Sequence, residues 1–441
     1  MPQGIWEYRN PGKLIADAVG CPPAKSILSD LGVLQLMLLS DLCRAIAVGE
    51  QHVGVVTGGE SKYRELRATI TGRPVAVTEQ PEDTPAPDVH HTSSDPWATD
   101  LEARAGLAAP VELFSMVESA LRHADGLDVD GHRDRIAELY AGFSAVAARN
   151  PLAWRRDALT APEIRDPSPR NAMLAFPYTK RHASQWNVNQ AVAILVCSAA
   201  RASELGVPRE RWVFPIAAVQ SKHVVPPAQQ RRLHTHPGTV LCGERALALG
   251  GVTRAELLAA ELYSCFPAAI QSFARDLALP PSCPWTVSGT MAFAGGPYNS
   301  STLEGVARMV EVLREAGPGR HVGLVSNLSG IFAKQACALL STEANPGGYR
   351  FEDLTAAVAD QDRPMPLDGD YVGPAMVVGY TVVHAGGVPS HAIAICDTPA
   401  GARTVVRSDD PAVLRRMMDE ELCGREVDAA GAGFCLRGSG T

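Results

Sequence analysis

Apolar positions recur along this chain at two spacings, and the switches between them outline its elements. Leu303, Val306, Val310 and Leu313 fall at three- and four-residue steps, which predicts an amphipathic helix over 302–316, closed by Gly317. The apolar stretch 33–48, ending at Gly49, reads the same way. A short β-rich run follows each: His52-Val53-Gly54-Val55-Val56-Thr57, then His321-Val322-Gly323-Leu324-Val325-Ser326. Runs this apolar predict central strands covered on both faces. A polar, glycine-containing turn is expected after each, at Gly58-Gly59-Glu60-Ser61 and Asn327-Leu328-Ser329-Gly330. Helix, strand and turn thus occur twice, which predicts a duplicated α/β domain.

Between the copies, Pro110–Ala124 reads as a helix with Pro110 in its first turn, Val111, Phe114, Val117 and Leu121 on one face, and Gly126 beyond its end. Residues 189–205 read as a second, more buried helix stopped by Gly206 and Pro208. Residues 253–262 read as helical, with Thr253 and Glu256 at capping-box spacing. Tyr263-Ser264-Cys265-Phe266-Pro267 breaks the pattern, which resumes over 268–277. Residues 79–97, with Pro81, Pro85, Pro87 and Pro96, read as loop. After a linker at 361–374 the period drops to two. Short strands are expected at 375–383, 390–396 and 402–407, then a helix over 411–422 and one or two final strands. That predicts a small β-rich appendage, a barrel of oligonucleotide-binding-fold type. The expected division is an N-terminal half with a loop insertion over 1–250, a C-terminal half over 251–362 and the appendage over 363–441.

Composition narrows the function. The 441 residues are 46% hydrophobic, and 40 Lys+Arg against 48 Asp+Glu leave a net charge of −8. An acidic chain is not a general nucleic-acid binder, and Asp409, Asp410, Asp419, Glu420 and Glu421 make the appendage a poor one too. No apolar run approaches the ~20 residues of a membrane span, and the first residues carry no export signal. A cytoplasmic protein with no membrane partner is expected. The ten cysteines stand singly, without CxxC or zinc-ligand spacing, and read as reduced thiols with no metal. GxxxxGK[ST], GxGxxG after a strand, GxSxG and HExxH are all missing.

Five segments together resemble the thiolase superfamily. They are Arg9-Asn10-Pro11-Gly12, Asn150-Pro151-Leu152-Ala153-Trp154, Phe176-Pro177-Tyr178-Thr179-Lys180, Glu261-Leu262-Tyr263-Ser264-Cys265-Phe266-Pro267 and Phe293-Ala294-Gly295-Gly296-Pro297-Tyr298-Asn299. The resemblance is to bacterial thiolase-like proteins of the lipid-transfer type, related to acetyl-CoA acetyltransferases, that carry a C-terminal appendage. It implies two similar five-layered αβαβα halves. The family runs several tens of residues ahead of the equivalent of Arg9-Asn10-Pro11, so the N-terminal half is expected to be incomplete here. A homodimer or a partner protein would then complete it, because an open sheet edge exposes unpaired backbone.

Thiolases use a nucleophilic cysteine, a histidine in a Gly-His-Pro turn and a second cysteine as acid/base. The resemblance places these at Leu31–Gln35, Gly296 and Asn327, and none is the expected residue. Cysteine-free relatives often carry Asn-Asn-Tyr-x-x-His and a Lys-His pair. This chain keeps Asn299 and Lys334 but has Ser301, Glu304 and Gln335 for the Tyr and the two histidines.

The candidate catalytic residues are Tyr263 (acid), Cys265 (nucleophile or acid/base), Glu304 (base), and Asn299 and Asn327 (amide donors to a thioester oxygen). Each has a plainer reading: a packed aromatic, a buried thiol, a carboxylate favoured at a helix start, and two turn residues. Lys222, Arg231, Arg232 and His236 are candidates for the phosphates of coenzyme A, beside the Gly295-Gly296 turn; a solvated loop is the alternative. No permanent cofactor is expected, only a coenzyme A thioester as substrate. The expected function is a thiolase-like enzyme that makes or breaks a C–C or acyl bond without the usual cysteine, for instance by retro-aldol cleavage. The alternative is a non-catalytic acyl-CoA-binding or scaffold subunit.

Overall fold

The computed structural model describes residues 8–22, 24–93, 95–107, 109–298 and 300–437. It begins with α1 (Pro11–Ala18), β1 (Ile27–Ser29), α2 (Gln35–Ala47) and β2 (Val53–Ser61). After β3 (Val89–His91) come two long helices, α3 (Pro110–Ala124) and α4 (Val129–Arg149), and then β4 (Met173–Ala175), β5 (Tyr178–Thr179) and β6 (Asn189–Cys197). A second run comprises β7 (Phe214–Ser221), α5 (Pro237–Gly250), β8 (Leu257–Glu261), α6 (Pro267–Asp276), α7 (Ser301–Glu315), β9 (Val322–Ser329), β10 (Lys334–Ser341) and β11 (Arg350–Asp353). The chain ends in β12 (Val372–Ala385), β13 (Val388–Asp397), β14 (Arg403–Ser408), α8 (Pro411–Asp419), β15 (Glu426–Ala430) and β16 (Gly433–Leu436).

The duplicated helix–strand unit is present, as α2–β2 and α7–β9. The two helices form one central layer between two sheets. Leu36, Leu39 and Cys43 of α2 and Leu303, Val306 and Met309 of α7 share a core with Val56 and Val192 on one side and Ala218, Val325 and Ala338 on the other. The glycine common to both repeats has a packing reason. A Cβ on Gly54 would stand 2.5 Å from Leu42 of α2, and one on Gly323 would stand 2.3 Å from the Met309 sulfur of α7. In each unit the strand makes room for a side chain of the helix that precedes it.

The two halves are not equal, in line with the incomplete N-terminal half that the resemblance implies. Strands β11-β7-β10-β9-β8 form a five-stranded mixed sheet, covered on its far face by α5 and α6. Among the described residues its partner sheet holds β2 and β6, antiparallel in continuous register from Val53–Cys197 to Ser61–Asn189. β9 is buried almost throughout, whereas the outer face of β2–β6 is open: Val53, Val55 and Leu195 are 47%, 53% and 68% exposed. The expectation of two fully covered strands therefore holds for one copy. The polar stretches expected as turns continue β2 through Ser61 and β9 through Ser329.

Two expected helices are strands. Residues 189–205 split into β6 and the short helix Ala199–Glu204. Val192, Ile194 and Val196 alternate inward and Ala191, Ala193 and Leu195 outward, a β-branched period of two. The capping box of Thr253 and Glu256 does form, at 2.7 Å, but it closes a single 3-10 turn before β8.

The appendage closes into a barrel, β12-β13-β14-β16-β15 and back to β12, with α8 between β14 and β15. Two buried arginines tie it to the body. Arg122 of α3 binds both carboxylate oxygens of Glu421 at 2.7 and 3.1 Å. Arg403 of β14 reaches Asp397 at 2.7 Å and donates to the carbonyls of Gln230 and Arg231. A motif residue is similarly structural: buried Tyr178 donates to Glu118, which also meets His132 at 2.5 Å and Gln271 at 2.9 Å, joining α3, α4 and α6.

Gly323→Ala should destabilise the fold by about 1–3 kcal/mol, because Met309 is sealed in the core and cannot yield. Gly54→Ala should cost less, since Leu42 is only partly buried and can turn aside. Urea unfolding of both variants reads the difference; equal losses would mean that the two glycines do not play these packing roles.

Candidate functional site

The central helices α2 and α7 begin over the same edge of the large sheet, where β8 and β9 end. The N-cap residues Leu34 and Ser300 make no side-chain capping hydrogen bond, so both first turns hold N–H groups without a cap. Two amides close them. Asn327 of β9 accepts from the N–H of Leu36 at 3.1 Å and donates to Thr302 Oγ1 at 3.0 Å. Gln35 accepts from the N–H of Thr302 at 2.8 Å and donates to the Tyr298 carbonyl at 3.2 Å. Asn327, expected to polarise a thioester, is thus a helix clasp with its amide already engaged.

Beside the clasp lies a small cleft of about 20 Å³, lined by Glu261, Tyr263, Ser264, Met291, Ser301, Thr302 and Ser326 among others. Glu261 is 8% exposed and accepts from Val287 N, Ser288 N and Ser288 Oγ at 2.6, 2.9 and 2.6 Å. Burial nonetheless raises its pKa. The Tyr263 backbone is held by Ser326 Oγ at 2.8 Å, and burial, with the Cys265 thiol second, pushes its phenol well up. It stays protonated and can donate. Glu304, in the first turn of α7, is half-buried; burial lifts its carboxyl to about 7 against a weaker pull from Ser300. Its Oε1 and the Ser301 hydroxyl meet no partner among the described residues. Of these groups Glu304 is the one whose carboxyl is lifted toward neutrality.

The other candidates are placed as follows. Cys265 lies in the core with Phe114, Phe266 and Tyr178, and burial drives its thiol far up. The basic segment does not converge. Lys222 pairs with Asp353 at 3.7 Å and lines a separate cleft with His90, His91, Asp95 and Lys334. Arg231 and Arg232 are exposed, and the carbonyl of Arg231 serves Arg403. His236 stacks on Phe332 at 3.7 Å, and burial lowers its pKa to about 3, so it cannot meet a phosphate as a cation. Gly295 and Gly296 are small because Gln190 and Ser184 fill the space where each Cβ would point, at 1.9 Å. Asn299 lies outside the described residues.

Sequence reasoning passed over Glu261, Ser326 and Gln35. Glu261 carries the clearest signal, a single acid ending the apolar run Leu257–Glu261. Gln35 has a fainter one, an amide at the head of an apolar helix.

No protein-family model matches the chain, and neither does any curated protein sequence. Solved structures do match. A monomeric SCP2-thiolase-like protein type 1 from Mycobacterium smegmatis superposes with a TM-score of 0.80 at 24% identity, over 97% of this chain and 88% of that one. The Ltp2–ChsH2 (DUF35) aldolase gives 0.54 at 17% identity, covering 74% and 82%. The Acat5 thiolase of Ascaris suum, solved with coenzyme A, gives 0.50 at 15% identity, covering 76% and 84%. This chain therefore has the thiolase fold, with two strands in its N-terminal sheet among the described residues and a small β-barrel at its C-terminal end.

Proposed function

We propose that this chain binds an acyl-coenzyme A, or another acyl thioester, and acts on the acyl group by acid–base chemistry. The observation that carries this is the pocket at the fold's central edge, with a protonated Tyr263 in its wall, Glu304 on the neighbouring helix turn poised near neutrality, and a sealed Cys265. The likeness to a thiolase solved with coenzyme A and to an aldolase supports the substrate class. Retro-aldol cleavage of a β-hydroxyacyl thioester fits these groups. Glu304 takes the hydroxyl proton, the Cα–Cβ electron pair moves into the thioester carbonyl as an enolate, and an acid such as Tyr263 returns a proton to Cα. No bond to the protein is needed. The small pocket volume and the engaged clasp favour a second reading, a non-catalytic acyl-thioester-binding subunit.

The open face of β2–β6 supports a further part of the proposal, that a second copy or a separate protein covers the two-stranded sheet. A homodimer fits its apolar, uncharged outer face.

Calorimetric titration with acyl-CoAs, followed by mass spectrometry of the products, separates the readings. Binding with cleavage supports the enzyme, binding without turnover the subunit, and no binding sinks both. Turnover should rise as pH passes about 7, because the base must be a carboxylate. Glu304→Gln should lower it roughly 100-fold or more with little change in affinity; unaltered turnover would remove Glu304 from the chemistry. Iodoacetamide at pH 8 should label exposed Cys21 and Cys435 and leave Cys265 intact; fast labelling of Cys265 would revive a thiol mechanism. Light scattering should give twice the 46.8 kDa chain mass, falling to a single chain in Leu195→Asp. A monomer that the substitution leaves unchanged counts against self-association.

A further inference from the structure

The loop 263–266 leads from the end of β8 into α6 and supplies two walls of the pocket, Tyr263 and Ser264. Three direct bonds tie it down: Tyr263 N–H to Ser326 Oγ at 2.8 Å, Met291 N–H to Ser264 Oγ at 3.1 Å, and Ser184 N–H to the Cys265 carbonyl at 3.0 Å. A fourth tie runs through α6. Its N-cap residue, Phe266, makes no side-chain capping bond, and the first-turn N–H of Ala268 goes to Tyr178 Oη at 3.1 Å instead. Phe266 also stacks on the Tyr178 ring, with centroids 5.7 Å apart. A tyrosine from β5 thus takes the part of the helix cap.

Tyr178 presents its oxygen to Ala268 because its own proton is engaged elsewhere. It donates to Glu118 of α3, and the same carboxylate accepts from His132 Nε2 at 2.5 Å and Gln271 Nε2 at 2.9 Å. Glu118, His132 and Tyr178 are fully buried, and Gln271 is nearly so. Burial alone would lift the Glu118 carboxyl, but hydrogen bonds from His132, Tyr178 and Gln271 hold it below the usual carboxylate range. It therefore accepts from three donors on three elements, α4, β5 and α6. Two of these grips reach α6, Gln271 directly and Ala268 through Tyr178. A buried charge is a poor source of stability, since apolar groups of the same volume often serve as well or better. It does select one geometry, because every donor must come to a fixed point.

We propose that Glu118 and Tyr178 are positioning residues for the pocket: they fix the first turn of α6 and, through it, the loop that carries Tyr263 and Ser264. Neither lines the pocket, and both act through the α6 backbone. That Tyr263 serves as an acid rests on the function proposed above; its placement by this network does not.

The test uses three buried free thiols of the full chain: Cys265 inside the loop, Cys337 in the core of the large sheet and Cys396 in the barrel. Iodoacetamide labelling resolved by mass spectrometry reads the first against the other two. Tyr178→Phe keeps the ring and removes only the hydroxyl. Cys265 should then label at least about tenfold faster, with Cys337 and Cys396 within about twofold of the wild type. Lost overall stability would speed all three alike; that result, or an unchanged Cys265, overturns the proposal. Glu118→Gln, which gives Tyr178 a weaker acceptor, should act in the same direction. If neither variant folds, hydrogen exchange of the wild type decides: the Ala268 amide should exchange as slowly as those in the middle of α3, and exchange at the rate of an open loop overturns the proposal. Where the wild type turns over an acyl thioester, Tyr178→Phe should lower kcat about tenfold or more with KM little changed, and an unchanged kcat overturns the proposal. Where the wild type turns none over, the proposed catalysis falls and the labelling alone decides the positioning role.

Discussion

Two helices that start side by side over one strand edge set the terms for the rest of this structure. Their positive ends face each other, and each leaves first-turn N–H groups unpaired. Asn327 and Gln35 resolve this with neutral amides: Asn327 accepts from α2 and donates to Thr302 of α7, while Gln35, itself on α2, accepts from Thr302 and donates to the Tyr298 carbonyl ahead of α7. A carboxylate would have satisfied the N–H groups but could not also donate to Thr302 and the Tyr298 carbonyl. A thiol offers one weak donor and a weak acceptor, too little to bridge two helices. The residue types that serve thiolase chemistry at this edge are thus poor at clasping it, and the residues present here clasp it well. Carboxyl groups stand instead on either side, Glu261 at the end of β8 and Glu304 in the first turn of α7.

That arrangement explains which parts of the fold were legible. The repeated glycine of β2 and β9 was visible as a sequence identity, and its cause is a contact with the preceding helix in each unit. Pro110–Ala124 and the short barrel strands followed from periodicity and turn residues alone. β6 and β8 were misread because short apolar runs fit a buried helix or a strand equally well by composition. For β6 the inward Val and Ile at every second position decided the matter. For β8 a true capping box sat ahead of the strand and pointed to a helix that never forms. The inequality of the halves was implied by the family resemblance and by no local pattern.

The site was legible in part. Tyr263 and Glu304 stand at the pocket and on the helix turn beside it because they flank elements whose ends were recognised. The basic segment 222–236 looked like a cluster only along the chain. Its prolines and the start of α5 send Lys222 to one cleft, bury His236 under Phe332 and leave Arg231 and Arg232 outside. Nearness in sequence and nearness in space disagree here for one reason: buried polar side chains, rather than apolar periodicity, shape these loops.

The same reasoning accounts for the barrel's hold on the body. Burying a charged pair gains little over an apolar contact of the same size, yet removing one partner leaves an unpaired buried charge and costs several kcal/mol, roughly 3–5. Arg122 and Arg403 run in opposite directions across the junction, one from body to barrel and one from barrel to body. Each is satisfied only in one docking geometry: Arg122 needs both oxygens of Glu421, and Arg403 needs the carbonyls of Gln230 and Arg231. An apolar junction could slide by a residue with small loss, whereas these two cannot. Because Arg403 grips the start of the 231–236 segment, the barrel also fixes the path of the chain into α5, which packs against the sheet that carries the clasp. The appendage therefore takes part in positioning the site, although none of its residues lines the pocket.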